Sequence, residues 1–133
     1  MLTCLALVAF NVSSLADIPK MMDDIEADAR TLANEETISP ELFARLQAFS
    51  AEAMRLSASL HQAGVGQDMP CVFQGIAHDA SERAAELNDA TTQAERDAAL
   101  MNLRVLMDDT VMLAPMAAAA ASDRAAQRNI ALR

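Results

Sequence analysis

Residues 39–60 read SPELFARLQAFSAEAMRLSASL, and this stretch decides the fold class. It opens with Ser39 as a helix N-cap, Pro40 at the first helical position and Glu41 in the first turn, where the helix dipole favours negative charge. Its apolar residues then recur every three or four positions, which places them on one face of a helix. The stretch therefore predicts an amphipathic helix with one buried stripe. The stripe consists of Leu42, Leu46, Phe49, Ala53, Leu56 and Leu60.

Three other stretches of the chain repeat this pattern. One begins at Ile18, one follows the turn at residues 64–66, and one runs from about Thr92 to Ala114. We expect Pro115 to kink or stop the last of these helices, because proline lacks a backbone N–H. The predicted inward residues are Ile18, Met22, Ile25, Ala29 and Leu32 in the first helix, Phe73, Ile76, Ala80, Ala84 and Leu87 in the third, and Ala99, Leu103, Leu106, Thr110 and Leu113 in the fourth.

The composition also favours an all-α fold. The chain of 133 residues is 53% hydrophobic but only 3% aromatic, with three glycines and four prolines, which is too few β-formers and turn residues for a sandwich or barrel. Four amphipathic helices joined by short breaks favour antiparallel neighbours, so we expect an up-down-up-down four-helix bundle over residues 17–115. A helical hairpin that dimerises into such a bundle is the alternative. Residues 116–133 are rich in alanine and predict a short C-terminal helix or tail.

The N-terminal residues 1–16 predict a secretory signal peptide. They carry no charge, and an apolar run over residues 5–10 is followed by small residues that end at Ala16. The usual basic n-region is missing, so the segment is either a truncated signal or not a signal. It is too short to span a bilayer, for which about 20 apolar residues are needed. We therefore expect a periplasmic or secreted protein with no stable membrane insertion after cleavage.

The charge and the motifs exclude several classes of function. The chain has 10 Lys and Arg against 19 Asp and Glu, and its net charge of -9 disfavours nucleic acid as a partner. The sequence has no glycine-rich phosphate loop, nucleophile elbow or H-E-x-x-H motif. Neither His61 nor His78 follows a glutamate by three residues, as di-iron carboxylate bundles require. We expect a monomer or weak dimer that is not an enzyme and that binds a metal ion or a protein partner.

Soft side chains are enriched at one predicted end of the bundle. His61 ends the second helix, and Met69 and Cys71 begin the third, so a short loop brings an imidazole, a thioether and a thiol within reach of one another. Cys71 lies in the first turn behind Asp68, the expected N-cap, where the helix dipole favours a thiolate. Such donors suit Cu(I). We predict a Cu(I) site with Cys71 as thiolate, Met69 as thioether and His61 as neutral imidazole, and with Met22 or Met112 as the candidate fourth donor.

The layout resembles the cytochrome b562 family of small periplasmic four-helix bundles. The resemblance lies in an export-like leader before Asp17, an early methionine in the first helix, and four helices in a short chain. In that family, a methionine of the first helix and a histidine near the end of the last helix ligate haem. Met22 matches the first ligand, whereas residues 111–116 read VMLAPM and contain no histidine. The resemblance therefore implies, at most, a haem site between Met22 and Met112 or Met116.

Two alternatives to Cu(I) binding follow from the same residues. Methionine is a flexible filler of helical cores, so packing also accounts for the methionines. In that case the protein is a protein-interaction or stress-response bundle without metal, in which the methionine-rich end or the alanine-rich tail contacts a partner. The other alternative is a divergent electron-transfer bundle that holds a b-type haem.

Overall fold

The computed structural model describes residues 15–66 and 68–133, and its regular structure is helical. A short 3-10 helix, Leu15–Asp17, leads into α1 (Ile18–Ala33), α2 (Pro40–Gln62), α3 (Met69–Asp89) and α4 (Gln93–Ala131). No strand occurs among the residues described, so the predicted all-α fold is confirmed. The predicted signal peptide lies outside the described residues, apart from its last two positions.

Two helices begin at the side-chain caps that local sequence chemistry favours. At the start of α2, the Ser39 hydroxyl accepts a hydrogen bond from the backbone N–H of Leu42 at 3.2 Å. At the start of α4, the Thr92 hydroxyl accepts from the backbone N–H of Glu95, whose carboxylate in turn accepts from the N–H of Thr92. These bonds satisfy backbone donors that have no partner inside the helix, and they fix where α2 and α4 start.

The turn between α2 and α3 requires left-handed backbone at two positions. Gly64 has a φ of 71°, which glycine adopts without steric cost, and Asp68 has a φ of 58°. Asp68 is the N-cap residue of α3, as predicted, but within the described chain its side chain forms no cap hydrogen bond. The reason is conformational: a side-chain cap normally requires the residue to be in the β region of φ and ψ.

The helices contact one another in chain order, and α1 also packs against α4. The most extensive contacts join α2 to α3 and α1 to α4. α2 and α3 run antiparallel, because Ser50 donates to the carbonyl of Ala77, whereas the later residue Ser57 donates to the carbonyl of the earlier residue Pro70. This arrangement encloses one hydrophobic core between the four helices.

The predicted inward stripes are confirmed in α1 and α2, where every residue named above is buried. In α4 the register differs by one residue at two places. Met107 and Ala114 are buried, while their neighbours Leu106 and Leu113 are only half-buried. Both positions offer two adjacent apolar residues, so spacing alone cannot choose between them. In α3, the predicted Ala84 is half-buried and the rest of its stripe is buried.

α4 does not stop at Pro115, which is one of the two outcomes that the sequence predicts, and it continues to Ala131. Pro115 is exposed, and its missing N–H removes one hydrogen bond, to the carbonyl of Val111. Packing supports the helix on both sides of the proline, and Arg124 Nε donates to the carbonyl of Ala63 at 3.3 Å, beside the turn after α2. The buried residues that flank the proline on the inner face are Ala114, Ala117 and Ala121.

Candidate functional site

The residues of the predicted Cu(I) site lie around the turn between α2 and α3. His61 is exposed, whereas Met69 is 5% exposed and belongs to the core. Cys71 is half-buried and disulfide-bonded, and the other cysteine of the sequence, Cys4, lies outside the described residues. A disulfide sulfur is not the thiolate that binds metal. The predicted site therefore requires the reduced protein.

Histidine, cysteine and carboxylate side chains form no cluster able to hold a metal ion within the described residues. That statement concerns histidine, cysteine and carboxylates and does not cover the thioether of methionine. Cu(I) binding at His61, Met69 and Cys71 therefore stays a prediction. His78, the other histidine, is exposed on α3, and its Nε2 lies 3.3 Å from Oε1 of Glu82 one turn along the helix. This pair is a surface contact on one helix.

The three methionines proposed as haem contacts lie in opposite environments. Met22 is 2% exposed inside the core, whereas Met112 is 73% exposed and Met116 is 54% exposed. The last two side chains therefore face away from the core that contains Met22. The described helices do not present these thioethers to a common site, and haem binding stays a prediction.

The outer face of α4 carries a row of large apolar side chains. We call Met101, Val105, Met112 and Met116 the outer stripe; each is more than half exposed. Their spacing of four, seven and four residues places them within about 60° of one another around the helix, in a row about 22 Å long. Ile130, which is 74% exposed, lies on the same side further along α4. The row thus keeps one side of α4, with a gap of about 10 Å between Val105 and Met112, and it is unburied in the folded chain.

The inner face of α4 has smaller side chains than the outer stripe. Its large buried residues are Leu103 and Met107, in the first half of the helix. The rest of the buried face consists of small residues, which let neighbouring helices approach closely. The core is therefore completed without the outer stripe. The small buried residues are Ala99, Thr110, Ala114, Ala117 and Ala121.

Two carboxylates flank the outer stripe at its midpoint. Asp108 and Asp109 are exposed between Val105 and Met112, one on each side of the row. Neither forms an ion pair with any residue that the structure describes. The nearest basic residue along the helix is Arg104, whose Nε donates to the carbonyl of Ala33 at 3.0 Å. The surface is therefore apolar along its centre and acidic at its edges.

A groove of about 650 Å³ between α3 and α4 is the other notable surface feature. Its polar lining includes Glu82, Arg83 and Glu86. The Arg83 guanidinium lies 2.9 Å from a carboxylate oxygen of Glu86 and 3.8 Å from one of Glu82, and its buried Nε has no hydrogen-bond partner among the described atoms. The groove contains the side chains of these ion pairs and offers no cluster of metal ligands within the described chain.

Among the described residues, α4 is the helix long and apolar enough to cross a membrane by length and composition. Core helices of water-soluble proteins pass the same test, and 28% of its most apolar 18-residue window is buried in the fold. α4 packs against the core along its inner face, as such helices do. Its length and composition alone therefore do not distinguish a membrane span from a core helix.

The sequence patterns described above do not identify the outer stripe. The resemblance to the cytochrome b562 family instead implies that Met112 or Met116 shares a haem site with Met22. The signal that does identify the stripe is the recurrence of large apolar residues at i, i+4, i+11 and i+15 from Met101, on the side opposite the inward residues.

The chain matches no known protein-family model, and no curated protein or solved structure is significantly similar to it. The likeness to the cytochrome b562 family therefore stays a resemblance of layout.

Proposed function

We propose that this protein is a non-catalytic helical bundle that binds another protein through the outer stripe of α4. The observation that carries this proposal is a row of four large, exposed apolar side chains on a helix whose other face completes the core. Large exposed apolar patches on soluble proteins often mark interaction sites, and the outer stripe places two pairs of such side chains, Met101 with Val105 and Met112 with Met116, on one side of α4. A row at helical spacing is also the surface against which a second helix packs.

The chemistry of the stripe supports a binding role. Three of its four residues, Met101, Met112 and Met116, have long unbranched thioether side chains that adapt to the shape of a partner. Burial of a side chain of this size contributes roughly 1.5–3 kcal/mol. Burial of the outer stripe against a partner would therefore contribute binding free energy, because these side chains are still exposed in the folded chain.

The outer stripe supports this function better than the predicted Cu(I) residues support metal binding. Cys71 is held in a disulfide and Met69 is buried in the core. A Cu(I) site there requires reduction and a rearrangement of Met69, whereas the outer stripe is accessible in the folded chain.

Selection from a library of displayed helical peptides tests the proposal. Peptides that bind the full chain are expected to lose about tenfold or more in affinity, at least about 1.4 kcal/mol, when Met112→Glu places a charge in the outer stripe. Leu132→Glu is the matched control, since Leu132 is 87% exposed and lies outside the stripe. Circular dichroism verifies that both variants fold. Failure to select any peptide, or selection of peptides that bind both variants equally, would overturn the proposal.

A further inference from the structure

We infer that the partner of the outer stripe is a basic amphipathic helix, with apolar residues at the spacing of the stripe and Lys or Arg at its centre. This inference rests on the proposed function and adds the chemistry of the partner. It starts from the position of Asp108 and Asp109, which lie midway between Met101 and Met116. Both carboxylates are exposed, and they flank the apolar row on its two sides.

No ion pair within the described chain neutralises the two carboxylates that flank the midpoint of the stripe. Between residues 97 and 123 of α4, the basic residue is Arg104. Its Nε is engaged with the carbonyl of Ala33. A cation supplied by a partner would therefore meet two carboxylates that have no ion pair within the described chain.

A second copy of the chain is the wrong occupant for this surface. In an antiparallel pair centred on the stripe, Asp108 and Asp109 of one copy face the same residues of the other, because they lie at its midpoint. In a parallel, in-register pair they also meet their own counterparts. Either arrangement brings four carboxylates together, and like-charge juxtaposition at an interface is strongly unfavourable. The net charge of -9 on each copy adds repulsion at long range.

A lipid surface is also the wrong occupant. The carboxylates that flank the stripe would have to enter the interface together with the methionines, and the net charge of the chain repels anionic headgroups. A basic helix meets both requirements of the surface. Its apolar residues pack on the thioethers while its central cations pair with Asp108 and Asp109, an arrangement that also accelerates association at low salt.

Two designed peptides test the inference on the full chain. Both are amphipathic helices with leucines at the spacing of the stripe; one has lysines at the positions that face Asp108 and Asp109, and the other has glutamates there. Fluorescence anisotropy is expected to show that the lysine peptide binds about tenfold or more tightly than the glutamate peptide, with the difference reduced in high salt. A lysine peptide with serines in place of leucines is expected not to bind.

Charge reversal provides the matched test. The double variant Asp108→Lys, Asp109→Lys is expected to prefer the glutamate peptide, whereas Asp23→Lys, Asp79→Lys, which changes the net charge equally at exposed sites on α1 and α3, is expected to keep the original preference. If both peptides bind equally and Met112→Glu abolishes both, the inference is wrong and the proposed function stands. If neither peptide binds, the inference is wrong, and the library selection described above decides the proposed function.

Two further measurements decide between occupants. Sedimentation velocity that shows a dimer of the wild-type chain, dispersed by Met112→Glu, would make a second copy the occupant and overturn the inference. Binding to vesicles of phosphatidylcholine and phosphatidylglycerol that is lost in Met112→Glu would make lipid the occupant and overturn it equally. A monomer that ignores vesicles and selects the lysine peptide is the supporting result.

Discussion

α1 and α4 pack against each other, yet they use their apolar residues in opposite ways. α1 buries the large residues Ile18, Met22 and Ile25 and has mainly charged residues on its outer side. α4 buries small residues along much of its inner face and leaves large ones, such as Met101 and Met112, exposed. A helix that serves only the fold needs one apolar face. On the proposed function, α1 serves the core and α4 serves both the core and a partner.

The strongest test of this comparison replaces the same residue type on the two helices. Met22→Ala is expected to lower the free energy of unfolding by about 2–5 kcal/mol, because it leaves a cavity in the core. Met112→Ala is expected to change it by less than about 0.5 kcal/mol, because the side chain is exposed. Urea unfolding measures both. Equal losses for the two variants would show that the outer stripe contributes to the fold and would break the comparison.

Cu(I) binding tests whether the buried Met69 and the exposed methionines of the outer stripe differ in function as well as in burial. On the predicted site, Cys71→Ser weakens the affinity of the reduced full chain for Cu(I) by orders of magnitude, because the thiolate is lost. Met112→Leu leaves the affinity unchanged, since Met112 lies on the outer stripe. The measurement is a titration against a competing chelator, with an absorbance scan for haem on the same sample.

An affinity that depends on Met112 rather than on Cys71 would make the outer stripe a metal site. No Cu(I) binding at all would remove the predicted site and leave Met69 as a packing residue.

A smaller effect is expected from filling the inner face of α4. Ala117 is fully buried, so Ala117→Leu is expected to destabilise the protein by about 1–3 kcal/mol through overpacking. Ala119→Leu, at an exposed position two residues further on, is the control and is expected to be near neutral. Thermal unfolding distinguishes them. A neutral Ala117→Leu would mean that the small residues do not set the spacing of α4 from its neighbours.

The smallest effect is expected where Glu52 of α2 lies beside the charged outer side of α1. Burial contributes most to raising the pKa of Glu52 above its ordinary value, and the charge and hydrogen bond of Asp28 on α1 add to it. The folded chain therefore holds this proton more tightly than the unfolded chain, so the stabilisation is present at low pH and is lost as pH rises through the raised pKa.

Glu52→Gln is expected to remove that pH dependence and to stabilise the protein at neutral pH by about 0.5 kcal/mol or less, because solvent screens the site. Unfolding measured between acidic and neutral pH checks this, with Glu36→Gln in the exposed α1–α2 loop as control. A Glu52→Gln variant that keeps the full pH dependence of the wild type would rule out Glu52 as its source.

The sequence predicts α1 and α2 well because their apolar residues have one consistent spacing and little apolar competition on the opposite side. α4 is harder to predict, because large residues on its outer face compete with the inward stripe in any periodicity. Adjacent apolar pairs, such as Leu106 and Met107, also make its register ambiguous. Pro115 suggests an end that packing overrides. For the candidate site, the Cys71 disulfide is not predicted, because the predicted signal cleavage leaves Cys71 as the one cysteine of the mature chain.

The small side chains on the inner face of α4 also affect how the position of this helix along the bundle axis is fixed. Beyond Met107 the fully buried residues of this face are small, so few large side chains interdigitate with those of neighbouring helices to fix its position along the bundle axis. Two arginine side chains supply that definition instead. Arg104 reaches the carbonyl of Ala33 and Arg124 reaches that of Ala63, at points about 30 Å apart along the helix. These two hydrogen bonds therefore fix the position of the outer stripe along the bundle axis relative to α1 and α2.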